Sequence, residues 1–124
     1  MIDIDISDYT AILDSIHDQG QEINMDAIGQ LLVESVHTNF DQEGRPSAWE
    51  PRQDDNPWPI LRKTGDLYHS IHYSIVGDTV YVDEGVGYGT YHDQGTSRLP
   101  ARPFLLVQDE DEQAIMDIIA QSFV

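Results

Sequence analysis

The sequence predicts an α+β fold, with N-terminal helices, an antiparallel sheet containing a hairpin, and a C-terminal helix packed on that sheet. Three observations carry this reading. Apolar residues recur at spacings of three and four over 24–40 and again over 115–123, the period of a helix with one buried face. Apolar and polar residues alternate at 2–6 and over 71–82, the period of a half-buried strand. Gly77-Asp78 divides the second alternating stretch, as a hairpin turn would.

Taken in order, IDIDI at 2–6 is a short strand suited to a sheet edge. Ser7 or Asp8 then caps a helix over Tyr9–Asp18, whose Tyr9, Ile12, Leu13 and Ile16 share a face, and Gly20 ends it. The next helix is the clearest. Ile28, Leu31, Leu32, Ser35, Val36 and Phe40 form its stripe, with Asn24 or Asp26 at its start and Gly44 just past its end. Ala27 and Gly29 are small and suit close packing.

Residues 41–59 hold four prolines and two tryptophans. Each proline removes a donor and restricts its predecessor, so an irregular path is expected. Trp49 and Trp58 are large apolar loads that pin this loop, either to the core or to a neighbouring subunit. Thr64-Gly65-Asp66 is a turn or cap that starts one helical turn. Ile71, Tyr73 and Ile75 belong to the outgoing hairpin strand and Thr79–Val82 to the returning one. A Gly-rich loop spans 83–103; its four glycines between 83 and 95 favour tight backbone paths. Pro103 opens a short turn, and Asp109 with Glu112 has capping-box spacing. Ile115, Ile118, Ile119 and Phe123 give the last helix its apolar face.

At 124 residues the chain fits a single domain, 1–124. Its folded surface is expected near roughly 6,700 Å², about a third of the unfolded value, which allows a modest core. There is no cysteine, which excludes disulfides and thiolate ligands. No apolar run approaches the ~20 residues of a membrane helix, and MIDIDISD is acidic where a signal peptide is basic.

Charge is the strongest compositional fact. The formal net charge is −17, from 23 acidic residues, 16 of them Asp, against six basic ones. Lys63 is the sole lysine, and positions 1–44 and 103–124 contain no Lys or Arg. Such a surface repels phosphate backbones and anionic lipid. It also repels itself, and salt relieves that by shortening the Debye length from about 10 Å at 0.1 M to about 3 Å at 1 M. The Asp excess with a single lysine predicts a protein that works in high salt, as in a halophilic host or its virus; an ordinary acidic protein is the alternative.

Nothing in the sequence points to catalysis, so no enzyme and no cofactor is expected. His69 and His72 are three apart, which suits zinc on a helix, but a strand sends them to opposite faces. His92 completes a third option for a metal-dependent hydrolase, with no HExxH pattern to support it. Carboxylate pairs are what 23 acidic residues give by chance. Gly85, Gly87 and Gly89 are spaced GxGxG without the strand-turn-helix context of a phosphate loop.

The stretch YHDQGTSRLPARPF, 91–104, stands out because it sets Arg98 and Arg102 in a proline-stiffened segment of an acidic chain. Arginine's fork pairs well with carboxylates. Either arginine can tie down acidic loops near Asp83, Glu84 or Asp93, or meet the carboxylates of a neighbouring chain.

An ordered set of blocks carries a resemblance. It consists of Ile60-Leu61 with Thr64-Gly65-Asp66-Leu67 and Ser70-Ile71, then Val80 and Val82, then Tyr91-His92-Asp93-Gln94-Gly95, and last Pro100-Ala101-Arg102-Pro103-Phe104-Leu105. Over about 24–124 this resembles the tail-completion and virion-morphogenesis proteins of tailed viruses, the group that includes the Mu G-like proteins. Their histidine block has its glutamine one place earlier, where Asp93 stands here. The resemblance implies a non-enzymatic virion protein of the neck, assembled in the host cytoplasm, that completes or terminates the tail and joins it to the head connector. It implies a homo-oligomeric ring, often six-fold, with neck, connector and tail-tube proteins as neighbours and DNA passing the lumen without specific binding. Interface or loop-shaping candidates are Arg98, Arg102, Trp49, Trp58, Tyr91, His92 and Phe104. The alternative function is a non-catalytic acidic adaptor or binding module.

Overall fold

A computed structural model describes residues 1–6 and 23–121. The helix expected over Tyr9–Asp18 and the terminal Phe123 lie outside the described residues. Three strands, β1 (Ile2–Asp5), β2 (His72–Val76) and β3 (Thr79–Asp83), form an antiparallel sheet in the order β1-β3-β2. With the helices below, this makes an α+β fold.

The sheet follows from the period-two pattern. Val80 and Val82 are fully buried on the central strand, while Thr79, Tyr81 and Asp83 between them are half-buried. Ile2 pairs with Val82 and Ile4 with Val80, so the isoleucines of IDIDI face the core and the aspartates face out. As expected, β1 is an edge strand. Gly77 takes a φ of 59° in the two-residue turn between Val76 and Thr79, a backbone region that glycine enters freely.

Helix α1 (Met25–Asp41) covers the core face of the sheet, in contact with β2 and β3. Asn24 starts it: its Oδ1 accepts the Ala27 N–H at 3.1 Å, which satisfies one of the orphan donors of the first turn. The stripe of Ile28, Leu32, Val36 and Phe40 is wholly buried. Gly29 permits the close approach. A Cβ there would lie 2.3 Å from the Tyr73 ring of β2.

Helix α2 (Asp66–His69) is the single turn expected after Thr64, whose Oγ1 accepts the Asp66 N–H at 3.2 Å. Within the stretch read as a Gly-rich loop, Gly89–Gln94 form a short helix, α3. Helix α4 (Asp109–Gln121) rests chiefly on α1. The terminal helix, expected to pack on the sheet, lies instead chiefly against α1, and Ile115 and Ile119 of its inner face belong to the same buried cluster as Val80 and Val82.

The start of α4 differs by one residue from the Asp109–Glu112 capping box. Gln108 precedes the helix, its carbonyl accepts from Asp111 and Glu112, and its own N–H donates to Asp111 Oδ2 at 2.8 Å. Asp111 therefore performs the reach-back that the motif assigns to its fourth position. The frame shifts because Asp111 is 7% exposed and has a second, buried partner, Ser35. Residues 101–108, including Pro103, form no hydrogen-bonded turn and bend at Leu105 on the way into this cap. No helix among the described residues is long and apolar enough to cross a membrane.

Candidate assembly surface

Two loops, 42–64 and 84–108, fold against each other at one end of the core. The first leaves α1 through Glu43 and Gly44, both at positive φ. Gly44 donates to the Asn39 carbonyl at 2.8 Å, and Trp49 N–H donates to the Glu43 carbonyl at 2.7 Å. A Cβ at Gly44 would lie 2.5 Å from the Ser47 carbonyl, so glycine alone lets the chain double back here.

Trp49 is the pin. It is buried, meets Phe40 edge-to-face with ring centroids 5.7 Å apart, and donates its indole N–H to the Pro103 carbonyl at 2.7 Å. Phe104 is fully buried, with its ring 5.0 Å from Phe40. Of the two places open to Trp49, core or neighbouring subunit, it takes the core. Its indole N–H also carries the first loop onto the second, since a buried indole N–H needs a partner.

The second loop is held from within. Asp93 Oδ1 accepts the N–H groups of both Phe104 and Leu105, at 2.9 and 3.1 Å. The Asp93 carboxylate thus closes the loop on PARPFL. Arg102 N–H donates to the His92 carbonyl at 2.8 Å. Gly95 has a φ of 78°, and a Cβ there would lie 2.8 Å from Ala101 N.

The arginines require a correction. Neither Arg98 nor Arg102 ties down Asp83, Glu84 or Asp93. The Arg102 guanidinium donates through Nε and Nη2 to the backbone carbonyl of Glu50, at 3.1 and 3.0 Å. Its partner within the chain is a carbonyl because side chains of each loop reach the main chain of the other, as Trp49 reaches Pro103, and the Asp93 carboxylate is already committed to Phe104 and Leu105. Arg98 is exposed, and its guanidinium makes no hydrogen bond or ion pair with a described residue.

Between the loops lies a cleft of about 270 Å³. Trp58, His92 and Arg102 all line it, joined by Arg52, Lys63 and Tyr88. Lys63 Nζ lies 5.1 Å from the centroid of the Trp58 ring. Three of the seven candidates therefore share one site. Trp49 and Phe104 lie behind it in the core, while Tyr91 and Arg98 stand on the outer surface.

Burial, and secondarily the Arg102 guanidinium, hold the His92 imidazole below its ordinary pKa of 6.5. The folded state therefore resists protonation at His92. Its contribution to stability is complete above 6.5 and is lost as pH falls from there through the lowered folded value. Arg102→Ala is expected to raise the His92 pKa part of the way back, because burial remains, and to cost about 1 kcal/mol through the lost carbonyl bonds. An NMR titration of the imidazole Cε1 proton, paired with a melting curve, checks both; an unmoved His92 would refute the coupling.

Sequence reasoning missed the polar centre beneath this surface. Arg45 donates to Asn39 Oδ1 at 2.7 Å, to the Ser35 carbonyl and hydroxyl at 2.8 and 2.7 Å, and to Glu110 at 2.6 Å. Ser35 in turn donates to Asp111 Oδ2 at 2.6 Å. Asn39 Nδ2 donates to the Phe104 carbonyl at 2.7 Å. One signal was available. Ser35 and Asn39 are four apart on an otherwise apolar stripe, and a buried polar pair demands a partner. Among the described residues, no group of three or more His, Cys, Asp or Glu side chains is arranged to hold a metal ion.

No curated protein and no solved structure matches this chain. A family model does, the phage virion morphogenesis family, over residues 4–123. That match spans β2, β3 and the second half of β1, both loops, the cleft and all of α4, so the chain belongs to the phage virion morphogenesis family and serves in building the phage tail and virion.

Proposed function

We propose that this protein is a non-catalytic ring subunit of the phage neck, which completes or terminates the tail and joins it to the head connector. Family membership carries the virion role. The neck-ring reading rests on one observation: cations without carboxylate partners stand on two braced loops of a body that is otherwise acidic. A closed ring requires two unlike patches on each subunit, one meeting the other on the next copy; the cationic cleft is suited to be one and the acidic remainder of the chain the other. A six-fold ring of acidic subunits also gives DNA a lumen to which it does not adhere, since like charges repel.

Electron microscopy of the purified protein, followed by localisation in intact particles, tests this. Rings in projection and label at the head–tail junction are expected. Label distributed along the tail would overturn the neck assignment.

The charge also supports a halophilic setting. Self-repulsion at a net charge of −17 is screened within about 3 Å at 1 M salt. The melting temperature is therefore expected to rise between 0.1 and 3 M KCl. A flat or falling series would rule the halophilic reading out.

A further inference from the structure

The six basic side chains divide into two groups. Arg45, Arg52 and Arg62 each have a carboxylate nearby, at 2.6, 3.8 and 2.8 Å. Lys63, Arg98 and Arg102 have no ion pair among the described residues, in a chain with 23 acidic residues. Two of these three, Lys63 and Arg102, line the same cleft, which Trp58 and Tyr88 also line. Arg102 uses Nε and Nη2 on Glu50, and its Nη1 makes no hydrogen bond to a described residue.

We infer that this cleft is a socket for a carboxylate-bearing segment of a second copy of the chain. The inference rests on the ring reading and names its basic half. Lys63 and Arg102 Nη1 supply the donors. The rings of Trp58 and Tyr88 supply apolar walls for the stem of an incoming Asp or Glu.

Charge complementarity selects the occupant. Positions 1–44 and 103–124 contain carboxylates and no Lys or Arg, so the body of another copy offers carboxylates for Lys63 and Arg102, which have no ion pair among the described residues. The cleft and the acidic body are different patches, which is the heterologous arrangement a ring needs. A nucleic acid fits poorly. Asp54 also lines the cleft, and a chain of net charge −17 repels a phosphate backbone at long range. Ion pairs enclosed in a cleft are screened less by salt than exposed ones, so the socket is compatible with work in high salt.

The composition provides the test. Lys63 is the only lysine, so zero-length carbodiimide cross-linking can join the chain only through Lys63 Nζ or the N-terminal amine. A mixture of ¹⁴N- and ¹⁵N-labelled full-length protein separates links between chains from links within one. The assembled protein is expected to yield mixed-isotope amide links from Lys63 to an Asp or Glu, whose position identifies the acidic half. Lys63→Glu is expected to weaken association at least tenfold in sedimentation while lowering the melting temperature only slightly, since within the described chain Lys63 makes no hydrogen bond or ion pair and loses only its contact with the Trp58 ring.

An assembled parent without inter-chain Lys63 links, or a K63E protein that assembles like the parent, would overturn the socket and leave the ring standing. A parent that stays monomeric at every concentration would overturn the ring reading, and the socket with it. Binding of a single-stranded oligonucleotide by the parent but not by K63E would overturn the carboxylate assignment.

Discussion

Trp49→Ala is expected to cost about 4 kcal/mol of unfolding free energy, the middle of the range for truncating a buried aromatic. Trp49 is 6% exposed and fills the space against Phe40, so its loss opens a cavity in the buried cluster. It also leaves the half-buried Pro103 carbonyl without its indole donor, which adds about 1 kcal/mol, the low end of the cost of an unsatisfied acceptor. Trp49→Phe separates these contributions. It keeps most of the volume and removes the hydrogen bond, so about half of the loss is expected. Urea unfolding of the three proteins measures the differences. A Trp49→Ala loss below about 1 kcal/mol would mean that Trp49 does not pin the loops to the core. Because Trp49 joins the two loops behind the cleft, Trp49→Ala is also expected to weaken assembly without removing any group that lines the cleft.

The fold was legible where the sequence pattern is periodic. Ile2 and Ile4, Val80 and Val82, and the stripe of α1 all reach the core, because alternation and helical spacing each specify a face. Gly29 was readable as a site of close packing, since a small residue inside a buried stripe leaves room for something large, here the Tyr73 ring. The loops were legible only as punctuation. Prolines and glycines announce that the path is irregular without saying where it goes. That Asp93 would close on Phe104 and Leu105, eleven and twelve positions away, is a property of the closed loop that no local pattern encodes.

The same limit explains the arginines. Composition singled out 91–104 for its two arginines in an acidic chain, yet the partner of Arg102 is a main-chain carbonyl, and any residue type supplies one of those. The cleft unites Trp58 and Lys63 with His92 and Arg102 across some thirty to forty positions of sequence. Its contents were identifiable singly and its existence was not. Arg45 was passed over for a physical reason as well. An arginine at a loop start reads as exposed, and only the paired polar positions Ser35 and Asn39 suggest that it turns inward.

Arg45→Ala is the second large loss expected, about 3–5 kcal/mol, the range for removing one partner from a buried charged network. The Arg45 side chain is 14% exposed, and its fork reaches acceptors at Ser35 and Asn39 together. Lysine is not expected to rescue it, because a single ammonium cannot reproduce the planar fork. Glu110 is a control within the same network. Its side chain is 72% exposed, so Glu110→Gln is expected to cost less than about 1 kcal/mol despite its 2.6 Å contact with Arg45. Asp111 decides the interpretation. It lies one hydroxyl away from Arg45, through Ser35, and removal of Arg45 leaves its carboxylate buried without that cation. If the charge is what matters, Arg45→Met combined with Asp111→Asn should lose less than the sum of the two single changes, by at least about 1 kcal/mol in a double-mutant cycle. Simple additivity would mean that Arg45 acts through its hydrogen bonds to α1 alone. The network joins α1, the start of the Pro/Trp loop and the cap of α4, so hydrogen exchange in the Arg45→Ala protein should rise first in the amides of the opening turns of α4.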